Sequence, residues 1–154
     1  SSEPISEEIT RAILNAGRRA QSAKNRQPWE FIAIRDRETL EALSEHGTYA
    51  GHLAGAALGV AILTPDPAER WSIMFDAGQA AAYMQLFAWE KGIVSCLATI
   101  YEPQKARQLL GFPADRHLNA AISFGYPADP SVLTAPPEHG GRKPKPEIFH
   151  FERW

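Results

Sequence analysis

Residues 18–29, R-R-A-Q-S-A-K-N-R-Q-P-W, lie between a stretch of helical periodicity and an apolar strand, W-E-F-I-A-I, over residues 29–34. A helix-to-strand connection usually takes only a few residues. This one sets arginines, a serine, a lysine, an asparagine and two glutamines against one proline. Pro28 disfavours the α region for Gln27 and is expected to hold it extended. A rigid loop crowded with hydrogen-bonding groups points to an anion or a polar ring system as its ligand.

Working outward from this loop, the chain alternates helices and strands. Ser6, Glu7 and Glu8 open a helix with acidic residues in its first turn, and Ile9, Ile13, Ala16 and Ala20 share one face. Asp36 caps a short helix reaching about residue 46, with Leu40 and Leu43 inward, and a turn follows over residues 47–51. A-L-G-V-A-I-L-T, residues 57–64, is continuously apolar and reads as a strand buried on both faces. A helix expected over residues 68–91 is apolar on most sides, which places it in a core or an interface. Gly92 ends it. Residues 95–101 form another strand, residues 103–110 a helix closed by Gly111, and residues 119–126 a further strand. Residues 127–146 are rich in proline and polar side chains and read as an extended arm, ending in E-I-F-H-F-E-R-W with the alternation of a strand. Such an arm can add an edge strand to another subunit's sheet. The whole chain, residues 1–154, reads as a single domain with residues 127–154 as its arm.

Composition narrows the function. A chain of 154 residues can bury a real core, and its 44% hydrophobic and 22% charged residues are ordinary for a globular protein. A net charge of -2 gives no reason to expect nucleic acid or an anionic membrane as partner. The sequence has no apolar run of the ~18 residues that a membrane span needs, and no signal-peptide pattern. One cysteine, Cys96, suits a reducing cytoplasm, and its apolar neighbours predict a buried, inert thiol. His46, His52, His117, His139 and His150 lack metal-ligand spacing, so no metal site is expected. Neither a dinucleotide fingerprint nor a phosphate-binding G-x-x-x-x-G-K is present, and no local motif suggests a Ser-His-Asp set.

The loop, the stretch D-A-G-Q-A-A-A-Y-M-Q-L-F-A-W-E-K-G-I-V-S-C-L-A-T-I-Y (residues 76–101) and the tail G-R-K-P-K-P-E-I-F-H-F-E-R-W (residues 141–154) together resemble the FMN-dependent nitroreductase family in its shorter forms. The family's loop reads roughly A-R-x-A-P-S-x-x-N-x-Q-P-W, its core helix ends in G-L-G-S/T-C-W, and its tail carries R-K/R-P before an apolar strand. The resemblance runs from about Ile5 to the end, and N-x-Q-P-W is its most specific piece. Two departures stand out. Gln21 replaces the usual proline, and the family's N-terminal R-R-S-x-R, which grips the FMN phosphate and ribityl chain, has no counterpart here. The phosphate grip is therefore either reduced or completed by residues upstream of this sequence.

The resemblance implies an α+β fold with a central mixed sheet flanked by helices. It further implies an obligate homodimer whose C-terminal arms wrap or swap around the partner, with FMN between subunits. Arg18 and Arg19 could hold a phosphate or simply be solvated near a helix C-terminus; the resemblance favours Arg19. Ser22, Asn25 and Gln27 are suited to the ribityl chain or ring edge, or to turn bonding within the loop; Trp29 reads as core. Leu97, Ala98 and Thr99 are implied to lie along the isoalloxazine, with a backbone N–H at flavin N5, or form a plain buried strand. Arg142, with Lys143 beside it, is implied to reach the phosphate from the arm, or keeps a proline-rich segment soluble.

No catalytic acid–base side chain is expected, because the flavin carries the chemistry. The expected activity is two-electron reduction of nitroaromatics, quinones or similar small acceptors, driven by NADH or NADPH in ping-pong exchange. Acceptor choice would then lie in loops near residues 46–52 and 64–68. The alternative from another class is a nitroreductase-like flavin- or ligand-binding module with little turnover.

Overall fold

The computed structural model describes residues 1, 3–136 and 141–154. Its sheet has four strands, β1 (Glu30–Ile34), β2 (Leu58–Thr64), β3 (Val94–Thr99) and β4 (His117–Gly125), in the order β1-β2-β4-β3. All three pairings are antiparallel, with registers such as Ile32 opposite Ala61, Val60 opposite Ile122 and Cys96 opposite Ser123. The fold is α+β as expected. The mixed character is not supplied by this chain's own strands, since no parallel pairing occurs among the described residues.

The period of two along the strands divides the core into two layers. Leu58, Val60, Ile62, Ile122 and Phe124 face α1 (Glu7–Arg18) and α3 (Ser72–Glu90), meeting Ile13, Ala80, Met84 and Ala88. Ala61, Leu63, Ala98 and Ala121 face α2 (Arg37–Ser44) and α4 (Pro103–Leu110), meeting Leu40, Leu43 and Ala106. Every residue of β2 is buried, which explains its unbroken apolar run. Caps follow the sequence: the Ser6 hydroxyl accepts from Ile9 N–H, the Asp36 carboxylate accepts from Thr39 N–H, and Gly111 closes α4 at φ 70.

The long helix starts later than its apolar pattern suggests. A 3-10 turn at Pro67–Glu69 and an extended Arg70 precede it. One side of α3 packs on the sheet. The other leaves Phe75, Tyr83, Leu86 and Trp89 exposed, with Leu86 at 70% and Trp71, just before the helix, at 81%.

The tail is not a strand. Lys145–Glu147 form a 3-10 turn, and Phe149, Phe151 and Trp154 are exposed, with the Trp154 ring stacked on His150 at 4.3 Å. A lone strand has no partner for its backbone groups, so a local turn takes its place. Part of the expected arm, residues 137–140 with His139, lies outside the described residues. Cys96 is exposed rather than buried, because β3 is an edge strand with one face uncovered.

Candidate functional site

The loop after α1 departs from the extended path expected of it. Lys24, Asn25 and Gln27 have φ of 54°, 53° and 49°. This left-handed region is disfavoured for residues other than glycine, and such strain clusters at functional sites. Local bonds hold Gln27 there despite Pro28: its N–H donates to the Ser22 hydroxyl at 2.9 Å, and its carbonyl accepts from Trp29 N–H at 2.8 Å. The Gln27 side-chain amide donates to Asn25 Oδ1 at 3.2 Å. From the core side, both carboxylate oxygens of Asp76 on α3 face the Ala23 N–H, at 3.1 and 3.2 Å.

The residues after Asp76 build a second feature. Met74, Ala77, Gly78 and Ala81 of α3 form one wall of a cleft of about 190 Å³, and Ile62, Thr64, Leu97, Thr99, Asn119 and Ala120 of the sheet form the other. The cleft is mostly apolar. At its polar end the Thr64 hydroxyl is buried and has no partner among the described residues. An orphaned hydroxyl in a confined site is normally satisfied by water or a ligand. A separate, larger cleft of about 400 Å³ is bounded by Gln27, Trp29, Arg26, Arg70 and Arg116.

Edge position gives β3 its chemical character. Ile100 N–H donates to the Asn119 carbonyl, so Ile100, Ala98 and Cys96 turn their backbone groups toward β4. Antiparallel ladders alternate. The N–H groups of Leu97 and Thr99 therefore point to the outer edge, where no strand among the described residues pairs with them. Ala98 is 1% exposed, and its N–H faces inward. Of the three residues, only Leu97 and Thr99 can offer a backbone donor to a ligand.

The other candidates divide. Arg18 forks onto Asn15 Oδ1 at 3.0 and 2.9 Å, whereas Arg19, the C-cap of α1, makes no side-chain bond among the described residues. Ser22 and Asn25 are bound within the loop, as turn bonding predicts. The structure does not bring Arg142 to the loop or the cleft; its guanidinium donates to the Gly141 carbonyl at 3.4 Å. Trp29 is core, at 9% exposure. The segment near residues 46–52 is pinned, with the His46 carbonyl accepting from Tyr101 N–H at 2.8 Å and Glu102 N–H at 3.3 Å.

Sequence reasoning missed Asp76 and Asn119, and met Thr64 only as the start of a loop bearing on acceptor choice, not for its buried hydroxyl. Asp76 had a visible signal, as the only charged residue between Arg70 and Glu90 in an otherwise apolar stretch. Thr64 and Asn119 had none, because their roles follow from which strand ends open onto the cleft.

A ring system with polar edges fits this setting. The cleft offers an apolar wall, an unsatisfied hydroxyl and two edge N–H donors, beside a loop with cationic side chains. Among the described residues no His, Cys, Asp and Glu cluster suits a metal ion, and no helix is long and apolar enough to cross a membrane.

Known proteins share this architecture. The chain is 33% identical over 163 residues to an Archaeoglobus fulgidus protein provisionally named NADH dehydrogenase/NAD(P)H nitroreductase, covering all of this chain and 90% of that one. It is 28% identical over 164 residues to a Thermus thermophilus NADH dehydrogenase, covering 82% of this chain and 80% of that one. An FMN-dependent nitroreductase from Clostridium difficile R20291 superimposes with a TM-score of 0.82 at 27% identity, covering all of this chain and 92% of that one. The model of the nitroreductase family matches residues 1–49 and 47–126. On this match and on the fold it accompanies, the chain belongs to the nitroreductase family, a family of oxidoreductases.

Proposed function

We propose that this protein is an FMN-dependent oxidoreductase that uses NADH or NADPH to reduce nitroaromatics, quinones or similar electron-poor small molecules by ping-pong exchange. The observation that carries the reading is the free edge of β3, which sets two unpaired backbone donors beside an apolar cleft. The FMN-dependent relative from Clostridium difficile supports the choice of cofactor.

FMN, when bound, supplies the two-electron exchange. The chain's own residues hold and tune it. The N–H groups of Leu97 and Thr99 are fixed donors, able to stabilise charge that develops on a ring edge without reorganising. Ala77, Gly78, Ala81 and Ile62 exclude water from the ring face, and the Thr64 hydroxyl finds its missing partner on a polar ring atom. Ser22, Asn25 and Gln27 serve the ribityl chain. Arg19, whose guanidinium has no side-chain partner among the described residues, meets the phosphate, joined by Arg142 when the arm is docked. A single cleft admits donor and acceptor in turn, which requires alternating half-reactions.

The protein acts as a homodimer, a reading supported by the exposed apolar side of α3. Its large apolar side chains are grouped on one helix rather than scattered singly, as on an ordinary monomer surface. An exposed thiol at Cys96 suits the reducing cytoplasm proposed as its location.

The test is spectroscopic and kinetic. Purified protein should show flavin absorbance bands, or gain them with added FMN, and should oxidise NADH or NADPH. Double-reciprocal plots for donor and acceptor should be parallel. Intersecting lines would rule out the ping-pong scheme, and a colourless protein that ignores added FMN would rule out the flavin.

A further inference from the structure

Asp76 is buried, at 2% exposure, on the inner side of a helix that carries no other charge between Arg70 and Glu90. A buried carboxylate is costly unless it is paired or hydrogen-bonded. No ion pair among the described residues includes it. Its recorded partner is a single backbone group, the Ala23 N–H. An apolar residue would fill this place in the core at lower cost, so the polar acceptor is explained by what it holds.

Ala23 leads directly into the left-handed residues Lys24, Asn25 and Gln27. A backbone bent that way opens toward commoner conformations unless its surroundings fix it. The bonds from Gln27 to Ser22 and Asn25 close the loop on itself but do not attach it to the body. Asp76 attaches it, through the hydrogen bond that its side chain accepts from the Ala23 N–H. The same helix turn continues into Ala77 and Gly78 of the cleft wall. One rigid element thus sets the distance between loop and cleft.

We propose that Asp76 is a positioning residue of the cofactor site, anchoring the Ala23 N–H so that the strained loop presents Ser22 and Asn25 to the flavin; this rests on the flavin reading above. The anchor acts on the ribityl and ring contacts, so its loss weakens FMN and riboflavin alike. The arginine contacts, by contrast, distinguish the two ligands.

The experiment uses the full chain stripped of flavin. Amide hydrogen exchange is followed at Ala23, Asn25 and Gln27, and FMN and riboflavin affinities are measured by quenching of flavin fluorescence. Asp76→Ala should speed exchange at these amides by about 10-fold or more and weaken both flavins by about 10-fold, as expected for a lost hydrogen bond. Asp76→Asn should recover most of both effects, since its amide oxygen still accepts from Ala23. Unchanged exchange in Asp76→Ala overturns the anchor. Faster exchange with unchanged affinities overturns the positioning role, and failure of Asp76→Asn to recover overturns the hydrogen-bond mechanism. If Asp76→Ala does not fold, Asp76→Glu, which displaces the carboxylate by one methylene, carries the same readouts. Wild-type protein that binds neither flavin refutes the flavin reading separately, and the exchange data still judge the anchor.

Discussion

Replacing Gly47 with alanine should damage both stability and the cofactor site. A Cβ built on Gly47 would fall against the Thr99 carbonyl oxygen, too close for any non-bonded atom, and 2.9 Å from the Ala50 Cβ. Neither neighbour can give way easily. Thr99 is the last residue of β3, and the next residue is already bonded to Asn119 of β4. The turn itself is held by the two N–H groups that donate to the His46 carbonyl. Overpacking of this kind costs about 1–3 kcal/mol. For a domain near this size each kcal/mol lowers the melting temperature by about 2–4 °C, so the drop should be about 2–12 °C. Because the strain falls on the strand edge beside the cleft, flavin affinity should fall as well. Gly51 and Gly55 are the controls: a Cβ at either meets no atom within 4 Å, so alanine there should be neutral or slightly stabilising through the unfolded chain. Scanning calorimetry and flavin titration of the three variants decide the matter. Gly47→Ala melting within a degree of wild type, with unchanged flavin affinity, would refute the close approach of this turn to the strand edge.

Lys24→Gly should raise the melting temperature, because relief of a left-handed residue is roughly 1–2 kcal/mol and the added chain entropy offsets only about 0.5–1 kcal/mol; a lower melting temperature would contradict the φ of 54° at this residue. Trp71→Glu combined with Leu86→Glu should dissociate the proposed dimer in sedimentation runs, and truncation before Glu147 should lower its stability; a folded wild-type monomer at micromolar concentration would remove the basis for a site between subunits. Arg19→Ala and Arg142→Ala should each weaken FMN by roughly 10- to 150-fold, from the loss of about 1.5–3 kcal/mol per charged hydrogen bond, while riboflavin affinity barely changes; equal losses for both ligands would show a structural role instead. The Thr39 hydroxyl and N–H hold the Asp36 carboxyl below its usual range, so its cap on α2 is fully present above the ordinary carboxylate pKa and is lost as pH falls through the lower folded value. Asp36→Asn should therefore flatten the acid limb of a melting-temperature-versus-pH curve, and an unchanged limb would show that the cap does not titrate with stability.

Much of the architecture was legible because periodicity and capping are local signals. The buried strand at Leu58–Thr64, the cap at Asp36 and the helix at Pro103–Leu110 all stand where the sequence places them. What failed depended on neighbours. Cys96 has apolar residues around it in sequence, yet its exposure follows from β3 lying at the end of the strand order. The aromatic alternation of the tail is a real strand pattern, but a strand needs an edge to join, and the tail meets none in its own chain. The sequence offers the loop residues as candidates for a ligand, but it did not offer their geometry. Only Asn25 among Lys24, Asn25 and Gln27 belongs to a residue type that tolerates the left-handed region readily, so nothing local announced the turn that Asp76 holds from fifty residues away.

The unsatisfied features of this chain share one remedy. Both edge strands, β1 and β3, keep unpaired backbone groups among the described residues, and the outer side of α3 keeps Phe75, Tyr83, Leu86 and Trp89 in water, with Trp71 just before it. The tail carries four more exposed apolar residues, Ile148, Phe149, Phe151 and Trp154, and joins neither open edge of its own chain. A monomer would have to blunt each of these separately, and open edges are usually protected by charge, proline or a covering element. A two-fold dimer resolves them together. The α3 sides can cover each other, and each arm can find in its partner the strand edge that it lacks. The cleft at Leu97 and Thr99 opens at one such edge, so the surface that a second copy would cover borders the surface that a flavin would occupy. If that is so, cofactor affinity and dimer stability must be linked: whatever stabilises the dimer raises flavin affinity, and flavin in turn stabilises the dimer. Sedimentation with and without FMN tests the linkage directly, since a dimer constant indifferent to saturating FMN would place the flavin wholly within one subunit.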